Sequence, residues 1–147
     1  MKFGEIHLKY TLIRYFLLQK RAIRIISNSN YVSHSLPSFV QLKTLPLPYL
    51  VKLNILIFMF KLHKGILPEI FNNMFKTNNS IHIYPTRNCQ NLRKPTTHLT
   101  IRTHSISFTG VNEWNNISQE LKSSTTLTRF KTLFKRLAFD ELSSMTE

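Results

Sequence analysis

Seven carboxylates, Glu5, Glu69, Glu113, Glu120, Asp140, Glu141 and Glu147, are all the acid in this 147-residue chain. Phosphoryl or nucleotidyl transfer with two metals needs clustered carboxylates, because Mg²⁺ is a hard cation that demands anionic oxygen ligands. Only Asp140 and Glu141 are neighbours, and adjacent side chains on a helix point about 100° apart. The spacing predicts solvated acids, no catalytic residues and no metal site. His82, Cys89, His98 and His104 fall in one stretch, but their spacings match no tight CxxC or HxxxH pattern of a zinc site. No orienting acid lies near Cys89 in sequence, as a Cys-His nucleophile would need. The phosphate-cradling motifs and the nucleophile elbow are absent, and three glycines leave little material for them. The residues thus predict a non-enzyme without a cofactor.

Cationic side chains are the abundant chemistry. Twenty Lys and Arg against seven acids give a net charge of +13, a field that attracts polyanions. The first hundred residues carry fourteen of the cations and two of the acids. Lys20, Arg21 and Arg24 share one helical face, while Arg87, Arg93, Lys94 and Arg102 punctuate a middle segment rich in Asn and Thr, which can also bond phosphate oxygens. Such groups bind RNA or DNA backbones by releasing counterions, without reading sequence. The competing reading is a solvated basic surface, since no Lys/Arg block exceeds two residues. Most of the eleven Phe and five Tyr sit at helical spacing and read as core; Tyr84 and Trp114 are the candidates for base stacking.

The elements that must position these groups read as mainly α with a minor β component: one domain or fragment with a loop-rich middle. The pattern predicts a helix over 5–27, with Leu12, Tyr15, Leu18, Ala22, Ile25 and Ile26 on one side and Arg14, Lys20, Arg21 and Arg24 opposite. A basic amphipathic helix of this kind also fits a membrane surface. Asn28, Ser29 and Asn30 break it. A short helix over 37–43 follows, with Ser35 near its N-cap and Pro37 in its first turn. After the stiff "LPLP" of 45–48, a helix apolar over almost its whole circumference runs over 48–64 to a Gly65 C-cap, and Pro68 opens a short helix through Phe75. Residues 77–103 read as loop with extended pairing. "HLTIRT" (98–103) and "SISFT" (105–109) alternate like a small antiparallel strand pair. In the last helix Leu127, Phe130, Leu133, Phe134 and Leu137 form an apolar stripe.

No apolar run approaches the ~20 residues of a membrane span. Charged residues interrupt the N-terminus as a secretion signal, and a lone Cys89 fits a reducing interior. An intracellular protein, in nucleus or cytoplasm, is expected.

Five stretches occur in a telling order: "LLQKRAIRIIS" (17–27), "FMFKLHKGILPEIFNNMF" (58–75), "HIYPTRN" (82–88), "SISFTGVNEWNNIS" (105–118) and "SSTTLTRFKTLFKRL" (123–137). Their succession resembles the C-terminal region of reverse transcriptases of LINE-like, non-LTR retrotransposons, over roughly residues 17–139. Residues 1–16 match poorly. The resemblance divides the chain into a helical part (17–76), a loop and short-strand part (77–109), and a tryptophan motif with the C-terminal helix (110–142). In that family the catalytic carboxylate-bearing strands precede this region. The resemblance therefore implies a truncated, non-catalytic fragment whose partners are RNA or DNA and the missing polymerase body. The family's usual Pro after the glycine and Leu-Pro after the tryptophan motif are here Val111 and Ile117-Ser118.

Four residues read as structural. Gly110 is expected to turn the chain out of the extended "SISFT" run, and Trp114 to pin the loop-rich middle to the helical core. Phe130 and Phe134 anchor the last helix. The alternative to nucleic-acid binding is a structural remnant whose apolar helices once packed on the polymerase body; the residues leave oligomeric state open.

Overall fold

The computed structural model describes residues 3–80 and 89–145. It is mainly helical: α1 (Phe3–Ile26), α2 (Leu36–Gln41), α3 (Leu47–His63), α4 (Ile106–Asn116), α5 (Gln119–Lys122) and α6 (Leu127–Ser144), with 3-10 segments at Glu69–Met74, Asn78–Ser80 and Thr100–His104. Length predicts one domain; the chain divides into two compact units, one of Met1–Leu53 with Thr128–Glu147, the other of Asn54–Leu127.

Three successive helix stops share one chemistry. Asn28, Lys43 and Gly65 all have positive φ, at 51°, 49° and 66°; Gly65 belongs to the second unit and ends α3. Each sits where the chain reverses out of a helix. Ser29 N–H reaches back to Arg24 O at 2.9 Å, Thr44 N–H to Phe39 O at 3.0 Å, and Ile66 N–H to Lys61 O at 2.9 Å. These are the six-to-one bonds of Schellman caps, which satisfy carbonyls that a helix end otherwise strands.

Gln19 joins α1 to the proline-rich connection. Its Nε2 donates to Leu45 O at 3.0 Å, and its Oε1 accepts from Leu47 N–H at 2.7 Å. One side-chain amide thus brackets Pro46 and caps the first residue of α3. The Phe16 and Phe39 rings lie 6.4 Å apart where α1 meets α2. Ile23, Phe39, Leu45, Leu53, Phe130, Phe134, Ala138 and Leu142 are buried in this unit. On α6 the buried residues recur every four positions, so its inner stripe is Phe130, Phe134, Ala138 and Leu142. Tyr49 hydroxyl hydrogen-bonds to the Glu141 carboxylate; burial first, then Glu141, pushes the phenol pKa above 10.0.

The second unit is built on Leu56, Met59, Phe60, Val111, Trp114 and Leu121, all buried. Phe58 meets Phe71 edge-on at 5.5 Å and Phe75 at 6.4 Å, which seats the 3-10 segment after Pro68. Among the described residues no sheet forms, and extended pairing is a single antiparallel bridge, Thr77 with Leu92.

The strand pair expected at 98–103 and 105–109 is helical: a 3-10 segment, then α4. A five-residue alternation fits period 2 and period 3.6 equally well. The longer window decides, because only a helix places Gly110, Val111 and Trp114 together inward. Gly110 accordingly makes no turn. It lies inside α4 and is buried, and a Cβ there would stand 2.7 Å from Met59 Sδ and 3.4 Å from Ile106 Cδ1. Close approach of Met59, not backbone freedom, requires the glycine.

Candidate nucleic-acid interface

The cations foreseen from sequence distribute between the two units. In the first, Arg21 and Arg24 line a groove of about 380 Å³ with Ile25, Asn28, Ser29 and Tyr31. The groove exists because α1 stops at Asn28, whose left-handed conformation swings the following turn back along the helix. Arg24 Nε donates to Ser33 O at 3.0 Å and holds that turn. Ser27, Ser29 and the buried Ser38 hydroxyl form a small network below it, with contacts of 2.7 to 3.4 Å. Arg24 is thus partly committed to structure, whereas Arg21 is exposed.

Tyr31 is 75% exposed and lines the same groove as Arg21 and Arg24. A ring next to cations is the arrangement that stacks an unpaired base while the cations hold its phosphates. Tyr31 lies outside any periodic segment, so helical spacing gave no reason to select it; the signal was an aromatic in a polar Asn/Ser turn. Lys20 stands apart on α1, its ammonium 4.4 Å from the Phe16 ring centroid.

In the second unit Lys94 is similarly engaged. Its ammonium lies 4.5 Å from the Phe108 ring centroid and donates to Asn112 Oδ1 at 3.3 Å. Arg93 and Arg102 are exposed. Arg87 and Tyr84, like His82, lie outside the described residues.

Trp114 is 5% exposed, so its face is closed to a base. It packs against His63 with ring centroids 5.4 Å apart at 45°. Burial first, then Lys64, then Lys122, pushes the His63 pKa below 6.5. Trp114 lines one cavity with Phe75 and with Leu92 of the loop-rich middle, and the next residue, Asn115, bonds that segment directly: its Oδ1 accepts from Leu92 N–H at 3.0 Å and its Nδ2 donates to Leu92 O at 2.8 Å. Backbone bonds from Asn78 to Asn91, Asn79 to Cys89 and Arg93 to Lys76 close the base of that loop.

Among the described residues no three His, Cys, Asp or Glu side chains gather closely enough to hold a metal ion, and no helix is long and apolar enough to cross a membrane. No protein-family model matches the chain, and no curated protein or solved structure matches it.

Proposed function

We propose that the chain is a non-catalytic C-terminal piece of a non-LTR retrotransposon reverse transcriptase that binds RNA or DNA backbones without sequence preference, in the nucleus or cytoplasm. The ordered motifs from Leu17 to Leu137 support the parentage. The observation that carries the binding is the groove where Arg21 and Arg24 flank an exposed Tyr31. Arg21 neutralises phosphate, Arg24 does so while holding the turn, and Tyr31 stacks an unpaired base. Lys20 in the same unit, Arg93, Lys94 and Arg102 in the other, and Arg87 in the sequence between Tyr84 and Arg93 are further cations for phosphate.

Fluorescence anisotropy with a single-stranded oligonucleotide over a salt series tests this. Affinity falls steeply with salt; about five phosphate contacts give a slope of log K on log salt of roughly −4 to −5 on duplex and −3.5 on single strands. Arg21→Ala makes the slope shallower by about 0.7 to 0.9. Tyr31→Ala leaves the slope unchanged and weakens single-strand binding by about 1–3 kcal/mol. Salt-independent or undetectable binding rejects the reading.

One observation favours a second reading, that of a structural remnant which docks on the missing polymerase body. Tyr10, Ile13, Tyr15, Leu17, Leu18, Ile25 and Ile26 of α1 are all exposed, an apolar surface too dense to be scattered residues. Sedimentation separates the two: a nucleic-acid binder releases its cargo in high salt, and an apolar remnant stays associated.

A further inference from the structure

A second concave site lies wholly within the unit of residues 54–127. It is a cleft of about 490 Å³, within the size range of pockets that hold small ligands. The end of α3 brings His63 and Lys64 to it, α4 brings Trp114, and α5 brings Lys122 with Gln119; Gln90 closes it from the loop base. Among the described residues no carboxylate lines it.

The cations there are not already matched. Lys122 Nζ has one long bond, to Asn115 O at 3.4 Å, which leaves two N–H donors. Lys64 Nζ rests 5.6 Å from the Phe60 ring centroid, a contact that uses no N–H donor. Like charges converging on one concavity raise its positive potential, and low-dielectric walls focus that potential. Burial depresses the Lys122 pKa, and burial first, then the Lys64 and Lys122 ammoniums, depresses that of the His63 imidazole.

We propose that this cleft binds a phosphate group, held by the Lys64 and Lys122 ammoniums. Gln90 and Gln119, both exposed at the rim, offer amide donors to the remaining oxygens or to the group the phosphate carries. An ammonium is a compact point charge with three donors, suited to a tetrahedral anion. The site does not rest on the groove at Arg21 and Tyr31. The phosphate can arrive on a free nucleotide or at the end of a nucleic-acid strand, and the two sources share this chemistry.

Amide and indole NMR of the full chain tests it, with inorganic phosphate, a nucleoside 5′-monophosphate, and a short single strand with and without a 5′-phosphate. The expected result is saturable shifts at the Trp114 indole N–H and the backbone of residues 63–64 and 119–123. Lys64→Gln and Lys122→Gln each weaken binding roughly tenfold, as loss of one charge-assisted bond implies. Lys122→Arg keeps most of the affinity, and thermal melts of each variant verify folding. Arg21→Ala leaves cleft binding intact, so the groove and the cleft fail or stand separately. Tighter binding of the mononucleotide than of inorganic phosphate assigns a free nucleotide; a gain confined to the 5′-phosphorylated strand assigns a strand end. Shifts absent from the cleft, or affinity unchanged in both glutamine variants, overturn the proposal.

Discussion

Gly110 and Met59 show how one contact can outweigh helix propensity. Glycine inside a helix costs about 1 kcal/mol relative to alanine, so Gly110→Ala should stabilise α4 considered alone. The added Cβ meets Met59 Sδ at 2.7 Å and Cγ at 3.3 Å, however, so the Met59 side chain, packed at 1% exposure, has to shift. Overpacking of this kind costs about 1–3 kcal/mol. Gly110→Ala is therefore expected to lower stability by about 1 kcal/mol in a urea melt, and a gain would show that Met59 repacks freely. His63 makes a pH prediction at the same scale. Its folded pKa lies below its ordinary 6.5 through burial, then Lys64, then Lys122. The unfolded chain thus takes up the proton first. Stability contributed by neutral His63 is full above pH 6.5 and falls as pH drops from there to the folded pKa. Titration followed at the imidazole, and unfolding midpoints compared at about pH 7 and about pH 5, should show that decline. His63→Gln should flatten it.

At the scale of elements, the chain's helix stops are its most regular feature. Glycine is the easy residue for a left-handed cap, asparagine is tolerated, and lysine is strained there. Lys43 at φ 49° is exposed, so its side chain contributes no core contact. Lys43→Gly should raise stability by about 1 kcal/mol, or roughly 3 °C in melting temperature. Glycine in place of Val40, within α2 and in helical conformation, should instead destabilise. Asn115 acts between elements. By bonding both the N–H and the C=O of Leu92, it substitutes for a missing strand partner beside the Thr77–Leu92 bridge.

For the molecule as a whole, α1 presents the main departure from expectation. The apolar side of its predicted amphipathic pattern faces outward: Tyr15, Leu18, Ile25 and Ile26 are exposed, Ile25 at 72%, while Ile23 is buried. Exposed apolar side chains add little to stability, so Leu18→Gln with Ile25→Gln should shift the unfolding free energy by no more than about 0.5 kcal/mol. The same pair should lower self-association measured by sedimentation. A large loss of stability would instead mean that these side chains are covered in the monomer. The groove at Arg21 and the cleft at Lys122 belong to different compact units, so substitutions in one should be additive with those in the other.

Local chemistry was enough to place α1, α2, α3 and α6. Pro37 in the first turn of α2 and Gly65 after α3 act through backbone conformation within a few residues, whereas Ser35 holds the N-cap place without a side-chain cap bond. The shortage of carboxylates and the excess of cations are likewise properties of the chain alone. The face of α1 that is covered, the helical state of residues 106–109, and the meeting of Lys64, Lys122 and Gln90 around one cleft depend on segments distant in sequence. Periodicity measures how a segment can be amphipathic, but not which neighbour arrives to cover it; Phe39, Met59 and Leu92 made those choices through packing and hydrogen bonds that no local pattern encodes.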